Sequence, residues 1–339
     1  MSMRNLLVLL AACSTVLCAA GDEKPAPVVR SQAVETAISR GLKYLARTQS
    51  SDGGWGEGGT NDVAFTALSG MAFLASGSTP KRGPYADNIS RAVSFLLSKA
   101  DPTTGLIAPT NGSLIHCHGY AMLFLGEVYG MECLPEHRER IRNALLRAIK
   151  LTAESQSKAG GWYYSPGQSD DEGSTTVTQV EGLRACRNAG LTVPGQVIER
   201  ALDYIKKSQN ADGSVRYKVS QQGGGSPALT AAGLMCFFSL GEYGTDNIKR
   251  GLKYLDTTCP GGNIQRGGHF MYTHLYASQA YFLAGEPYWS KYWKEASKMF
   301  VQSQASDGMW PGDIGPAFDT AVACIILQIP YGYLPILQK

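Results

Sequence analysis

The sequence is short of charge. Asp, Glu, Lys and Arg make up 17% of its 339 residues, against about 25% in an average globular protein. The formal net charge is only +3, and no Lys/Arg cluster concentrates it. A nucleic-acid surface needs such a cluster, so nucleic acid is excluded as the main partner. The 44% hydrophobic content excludes wholesale disorder, which requires few apolar residues. Past the N-terminus no apolar run is long enough to cross a bilayer, so no transmembrane span is expected. The His-Glu-x-x-His, Gly-x-Ser-x-Gly and Gly-Cys-Gly-Glu-Gln signatures are all missing, which removes zincin, nucleophile-elbow and thioester chemistry.

The N-terminus is a short basic start (MSMRN), an apolar run (LLVLLAACSTVL) and small residues (CAAG). This pattern predicts a secretory signal peptide over 1–20 and export to a periplasmic or extracellular space. Leu10-Ala11-Ala12-Cys13 also fits a bacterial lipobox, which makes lipoprotein anchoring the less favoured alternative. Six of the eight cysteines lie beyond residue 20. Cys186, Cys236 and Cys324 sit among Leu, Ala, Met and Ile within helical patterns, where a free thiol acts as a small hydrophobe. Cys117 and Cys133 fall near opposite ends of one expected helix, too far apart to pair. Mostly buried thiols are expected.

Glycine is abundant, with 39 residues and no collagen period. Gly-rich turns recur at Gly53, Gly105, Gly160, Gly213, Gly261 and Gly308, with steps of 52, 55, 53, 48 and 47. Six units of roughly 50 residues indicate a repeat architecture over 21–339. The helix before each turn has one apolar stripe, as in Val34, Ile38, Leu42 and Leu45. The helices after the turns, at 63–76, 119–129, 228–240, 272–284 and 321–329, are apolar nearly all round. That at 175–189 is the exception, with Glu181, Arg184 and Arg187. A one-sided helix lies at a surface and an all-round apolar one is buried. Twelve helices alternating in this way predict an all-α fold, an (α/α)6 toroid of two concentric rings, over the rival HEAT-like solenoid. The apolar tail at 331–337 is expected to cross one end of the ring.

One register runs through four of the turns. Gly41-Leu42-Lys43-Tyr44-Leu45 leads to Gln49 and then Asp52-Gly53-Gly54-Trp55. Gln304 precedes Asp307 and Trp310, and Gln156 precedes Gly160 and Trp162. Gln209 precedes Asp212, with Val215 at the Trp position. This resembles the QW repeat of the prenyltransferase/squalene oxidase repeat family, the terpenoid cyclases and protein prenyltransferase β subunits. Locally, Gln can bond helix-end backbone, and Trp is expected to pack across the turn onto the next repeat.

The resemblance implies a central apolar cavity with its chemistry where loops enter the inner helices. Squalene cyclases of this family protonate substrate with Asp-x-Asp-Asp. Here Gln168-Ser169-Asp170-Asp171 carries the two adjacent aspartates, so Asp170 and Asp171 are candidate acids, or else a solvated loop that caps a helix. The prenyltransferase pattern Arg-x-x-Lys-x-x-Asp-x-Cys, with a later His, falls on Arg266, His269, Tyr272, His274 and then Asp319. Arg266 is then a ligand-binding candidate. His269, His274 and Asp319 could supply zinc with an N,N,O set, or be a hydrogen-bonded histidine and a helix-capping aspartate. His116-Cys117-His118 opens another inner helix, and His116, His118, Tyr120, Tyr272 and Tyr276 are candidate cavity residues. The resulting expectation is an exported cyclase- or transferase-like toroid for an apolar or isoprenoid-type ligand. One alternative is a non-catalytic toroid whose rim holds a protein, peptide or glycan. Another is a carbohydrate-active (α/α)6 enzyme, which needs two facing carboxylates from among Asp170, Asp171, Asp313 and Asp319.

Overall fold

The computed structural model describes residues 31–56, 59–131, 134–266 and 269–338. The expected leader, the lipobox and Cys133 lie outside them. Among the described residues the chain forms twelve α-helices and no strand beyond isolated bridges. The outer helices are α1 (Gln32–Thr48), α3 (Ala86–Ser98), α5 (Pro135–Glu154), α7 (Gly195–Ser208), α9 (Asp246–Thr258) and α11 (Tyr288–Ser303). The inner helices are α2 (Asp62–Ala75), α4 (Leu114–Gly130), α6 (Gly173–Asn188), α8 (Pro227–Ser239), α10 (Phe270–Ala284) and α12 (Pro316–Gln328). Each inner helix packs on the next, and α12 returns to α2. The ring is therefore closed: an (α/α)6 toroid, not a solenoid.

Hydrophobic patterning accounts for the two layers. The outer helices bury one stripe, such as Val34, Ile38, Leu42 and Leu45 in α1. In α11 the stripe is Trp289, Tyr292, Ala296 and Phe300, an aromatic version of the same spacing. The inner helices are buried along nearly their whole length. Helix α6 is no exception, because Glu181 is buried with the rest. Cys117, Cys186, Cys236, Cys259 and Cys324 are free and buried, as the patterning predicts.

The turns hold the two rings in register. Gln49 donates its amide to the carbonyls of Gly53 (2.8 Å) and Asn88 (3.0 Å), the latter in the next outer helix. Gln156 does the same with Gly160 and Val197, and Gln209 with Gly213 and Asn247. Gln304 closes the cycle on Gly308 and on Ala37 of α1, each at 2.9 Å. Gly160 shows why the turn needs glycine: its φ is +103°, and a Cβ there would stand 2.2 Å from the Arg200 carbonyl oxygen. An arginine on the next outer helix returns the contact, as Arg40 donates to the carbonyls of Ala305 (2.6 Å) and Ser306 (2.9 Å).

Tryptophan adds a hydrogen bond to the packing expected of it. Trp55, Trp162 and Trp310 donate their indole N–H back to Leu45, Thr152 and Phe300 of their own outer helices, at 3.0, 2.8 and 2.7 Å. A buried indole N–H usually finds a partner, and here it is a carbonyl in the last turn of the helix just left. The Trp310 ring also reaches the next repeat, where Gly41 makes room for it.

The tail crosses the end formed by the inner-helix C-termini. Leu334, Ile336 and Leu337 are buried there. Arg184 of α6 donates to the carbonyls of Phe238, Ser239 and Gln338, and the Ile336 amide donates to Glu127 of α4. Burial pushes both Glu127 and Glu181 up to about 8, so these carboxyls are neutral acids in the core at pH 7.

Two outcomes are expected. Gln156→Ala leaves two carbonyls without their donor and should lower stability by about 1–3 kcal/mol, read as an earlier urea midpoint; an unchanged midpoint would refute the staple. The glutamate pair ties stability to pH. From the ordinary value of 4.5 up to about 8 the unfolded chain has lost these protons while the native chain keeps them. Stability must then fall as pH rises through that window. Glu181→Gln, which has no proton to lose, should flatten the fall in a series of melting curves.

Candidate functional site

The turns fix the starts of the inner helices through one position. The backbone N–H of Trp55, Trp162, Val215 and Trp310 donates to the hydroxyls of Thr66, Thr176, Thr230 and Thr320, at 3.0, 3.1, 3.0 and 3.0 Å. In the second repeat Ile107 N–H donates instead to His118 Nδ1 at 3.0 Å. His118 is thus the histidine version of the threonine anchor. Its Nε2 meets Thr152 Oγ1 at 3.3 Å, and burial lowers its pKa to about 4. It does not face the cavity, contrary to expectation, because the anchor side of the helix points at the turn. His274 stands at the same place in α10. Its Nδ1 meets the Tyr292 hydroxyl of α11 at 2.9 Å, and burial pushes its pKa to about 3.

Two residues before each anchor position, the side chain faces the axis. Ala64, His116, Ser174, Ala228, Tyr272 and Phe318 all line one cavity of about 660 Å³. Phe65, Tyr120, Leu229 and Ile314 add apolar and aromatic wall, and Tyr164 and Tyr217 close in from the loops. The cavity lies at the N-terminal ends of all six inner helices, where their positive dipole ends converge. Among the described residues no Asp or Glu lines it.

Asn61, Ser226 and His269 are spread round its wall, and a hydrogen-bonded polar group lies between α4 and α6. His116 Nε2 lies 2.9 Å from Ser174 Oγ, and His116 Nδ1 lies 2.7 Å from Ser113 Oγ. Behind them Glu172 is completely buried. It caps α6, accepting the amides of Ser174 (2.8 Å) and Thr175, and it bonds the Ser174 hydroxyl at 2.8 Å. Glu172 Oε1 is 3.7 Å from His116 Nε2. Burial lowers the His116 pKa, and the Glu172 charge opposes the shift. The Tyr164 and Tyr217 hydroxyls bond one another, and the Tyr164 ring lies 5.7 Å from the His116 ring. Deeper in, the Tyr120 and Tyr276 hydroxyls meet at 3.0 Å.

The sequence candidates divide accordingly. His116, Tyr120, Tyr272 and His269 line the cavity, and Tyr276 supports Tyr120 from beneath. Asp170 is half-exposed and ion-paired to Lys218. The Lys218 bond holds its pKa below the ordinary value, the wrong direction for a proton donor. Asp171 is buried on the same loop and accepts from Val219 N–H at 3.2 Å. Neither lines the cavity. Arg266 is exposed and covers the Phe270 ring, outside the cavity.

The suggested zinc ligands do not converge. Among the described residues no group of three or more His, Cys, Asp or Glu could hold a metal ion. His269 sits at the cavity rim with its own N–H on Asp313 (2.8 Å), His274 turns outward to Tyr292, and Asp319 accepts the Gly315 N–H at 3.0 Å. Burial raises Asp319 to about 6. Its role is that of a helix-start cap, held against Gly312.

Ser174, Ser113, Tyr164 and Tyr217 escaped sequence reasoning, whereas the helix cap expected of the acidic loop is made by Glu172. A signal for three of them was present. Tyr164 and Tyr217 each stand two residues after the Trp position of their turns, and Ser174 stands two before Thr176.

No protein-family model matches the chain. Its sequence relatives are terpene cyclases. It is 26% identical over 182 residues to a terpene cyclase–glycosyl transferase fusion protein of Humicola fuscoatra, covering 53% of this chain and 11% of that protein. It is 25% identical over 191 residues to drimenyl diphosphate synthase of Streptomyces showdoensis, covering 56% of this chain and 33% of that one. The matches thus span well under half the length of these curated relatives. Among solved structures, a type II terpene cyclase from Scytonema bound to geranylgeranyl dihydroxybenzoate aligns with a TM-score of 0.63 at 13% identity, over 89% of this chain and 98% of that one. An inactive α-1,6-mannanase variant of Salegentibacter sp. bound to α-1,6-mannotriose aligns with a TM-score of 0.66 at 10% identity, over 88% and 98%. These likenesses establish the (α/α)6 toroid as the fold.

Proposed function

We propose that the protein is an exported terpenoid-cyclase-like toroid whose central cavity takes an apolar, isoprenoid-type ligand. The observation that carries this is the cavity itself: about 660 Å³, walled by Phe65, Phe318, Leu229, Tyr120 and Tyr272, with a small number of polar groups set into it. Ligand pockets of that size, apolar with a few convergent polar groups, suit a small lipid-like molecule. The terpene-cyclase relatives support the same ligand class. Export rests on the leader pattern at 1–20.

The carbohydrate-active reading has less support. Glycoside hydrolysis needs two carboxylates across the substrate. Among the described residues the cavity wall has none, and Glu172 behind it is already committed to the start of α6. A rim-only binding protein has no need of an open centre. The family acid motif is not the chemistry favoured here, since Asp170 and Asp171 face away from the cavity.

The full chain should take up one geranylgeraniol per molecule, seen by native mass spectrometry as an adduct lost on denaturation. Ala228→Trp fills the cavity from a half-buried position. It should weaken binding at least about tenfold while leaving the melting temperature close to wild type. No adduct from farnesol or geranylgeraniol at saturating concentration would defeat the reading.

A further inference from the structure

The polar wall of the cavity contains an activated hydroxyl. Ser174 Oγ lies 2.9 Å from His116 Nε2 and 2.8 Å from both oxygens of Glu172, so its one proton is shared between the carboxylate and the imidazole, and the far nitrogen of His116 is fixed by Ser113 Oγ at 2.7 Å. Nucleophile, base and orienting group in that order are the arrangement that makes serine attack carbonyl carbon. Both Ser174 and His116 are open to the cavity. Ser174 is the second residue of α6, where the positive end of the helix dipole favours a developing alkoxide. Such a serine needs no nucleophile elbow to be presented, which fits the missing Gly-x-Ser-x-Gly.

The surroundings suit the charges that would develop. Burial keeps His116 neutral and able to accept a proton. The imidazolium formed would have the buried Glu172 carboxylate 3.7 Å from its Nε2. Tyr164 and Tyr217, which also line the cavity, present two hydroxyls and therefore two protons. Their mutual bond uses one, and the second is free for an oxygen in the cavity. Burial holds the Tyr164 phenol protonated, so the pair remains a donor, the requirement for stabilising an oxyanion.

We propose that this cavity is a serine esterase site for carboxylic esters bearing a long apolar chain, with Ser174 as nucleophile and His116 as general base. This rests on the cavity reading above for where the apolar chain lies. Ser174 Oγ bonds to the ester carbonyl carbon as its proton passes to His116 Nε2, and the carbonyl oxygen becomes an oxyanion facing the tyrosine pair. Collapse breaks the carbon–oxygen bond to the alcohol, which leaves with the proton from His116. Water then attacks the acyl carbon, gives one proton to His116, and the carboxylic acid departs as that proton returns to Ser174. The products are one alcohol and one acid, and water is the only co-reactant.

The test uses the full chain, p-nitrophenyl esters from butanoate to palmitate, and a fluorophosphonate probe read by intact and peptide mass. The wild-type protein should release p-nitrophenol, fastest with the longer acyl chains, and carry one phosphonyl group on Ser174. Ser174→Ala and His116→Gln, each checked for an unchanged melting temperature, should lose hydrolysis by more than about 100-fold. The variant Ser174→Cys should exchange phosphonyl labelling for alkylation by iodoacetamide at residue 174. A probe on any other residue, a Ser174→Ala protein hydrolysing at close to the wild-type rate, or an unlabelled and inactive wild-type protein would each overturn the proposal. The geranylgeraniol adduct is measured on the same wild-type sample. An adduct without labelling removes the esterase and keeps the ligand class. Labelling without an adduct keeps the esterase and removes the isoprenoid.

Discussion

Everything in this molecule depends on a turn that cannot satisfy itself. The end of each outer helix leaves carbonyls without intrahelical donors, and the Gly turn that follows adds another. A single glutamine amide has two protons, and it spends one on its own turn and one on the next repeat, as Gln304 does with Gly308 and Ala37. Its oxygen then accepts from the neighbour, as Gln49 and Gln209 do from Asn88 and Asn247 at 2.7 and 2.8 Å. At each of the four turns with glutamine the partner is the following helix, and at the sixth turn that helix is the first. Closure is a condition of hydrogen-bond satisfaction as much as of apolar burial.

That same turn determines where chemistry can occur. The residue after the turn donates to the anchor position of the inner helix, which fixes the rotation of that helix about its own axis. Once the anchor faces the turn, the residue two before it faces the centre. The six inner helices therefore enter with the same phase, and six side chains from distant parts of the sequence meet in one cavity. The geometry is that of a general container. The identity of the six residues decides what it contains, and only His116 and Ser174 among them are reactive.

The fold was legible because its signals are periodic. Apolar spacing in α1, all-round burial in α2, and Gln with Gly in one register are each visible without a neighbour. The site was legible only in part, because residue type was read without phase. Histidine attracts a reading as ligand or acid, yet His118 and His274 hold the place where four other repeats have threonine. Aspartate beside aspartate suggests an acid, yet Asp170 meets Lys218 from a loop 48 residues away, a pairing that no local pattern could reveal. Serine, by contrast, is common and uninformative. Ser174 gains meaning only when His116 approaches from another helix. The turn at Gly105, which lacks Gln and Trp, hid the phase of α4 and with it the distinction between His116 and His118.

The approach of α4 to α6 has its own cause in the sequence. A Cβ on Gly119 would lie 2.5 Å from Thr178 Oγ1, and one on Gly182 would lie 2.8 Å from Met122 Cβ. Glycine on both helices removes the side chains that would hold the axes apart. The elsewhere-costly choice of glycine in helix interiors is thereby explained at this pair. The close approach brings His116 to Ser174 at hydrogen-bond distance, whereas the opposite wall of Ala64, Ala228, Tyr272 and Phe318 offers no titratable group that is charged at neutral pH. The cavity carries its Ser–His pair on the side where two helices are pressed together. The tail with Ile336 and the neutral Glu127 and Glu181 seals the far end of the axis. At the other end of the axis Tyr164, Tyr217 and His269 line the cavity together with His116 and Ser174.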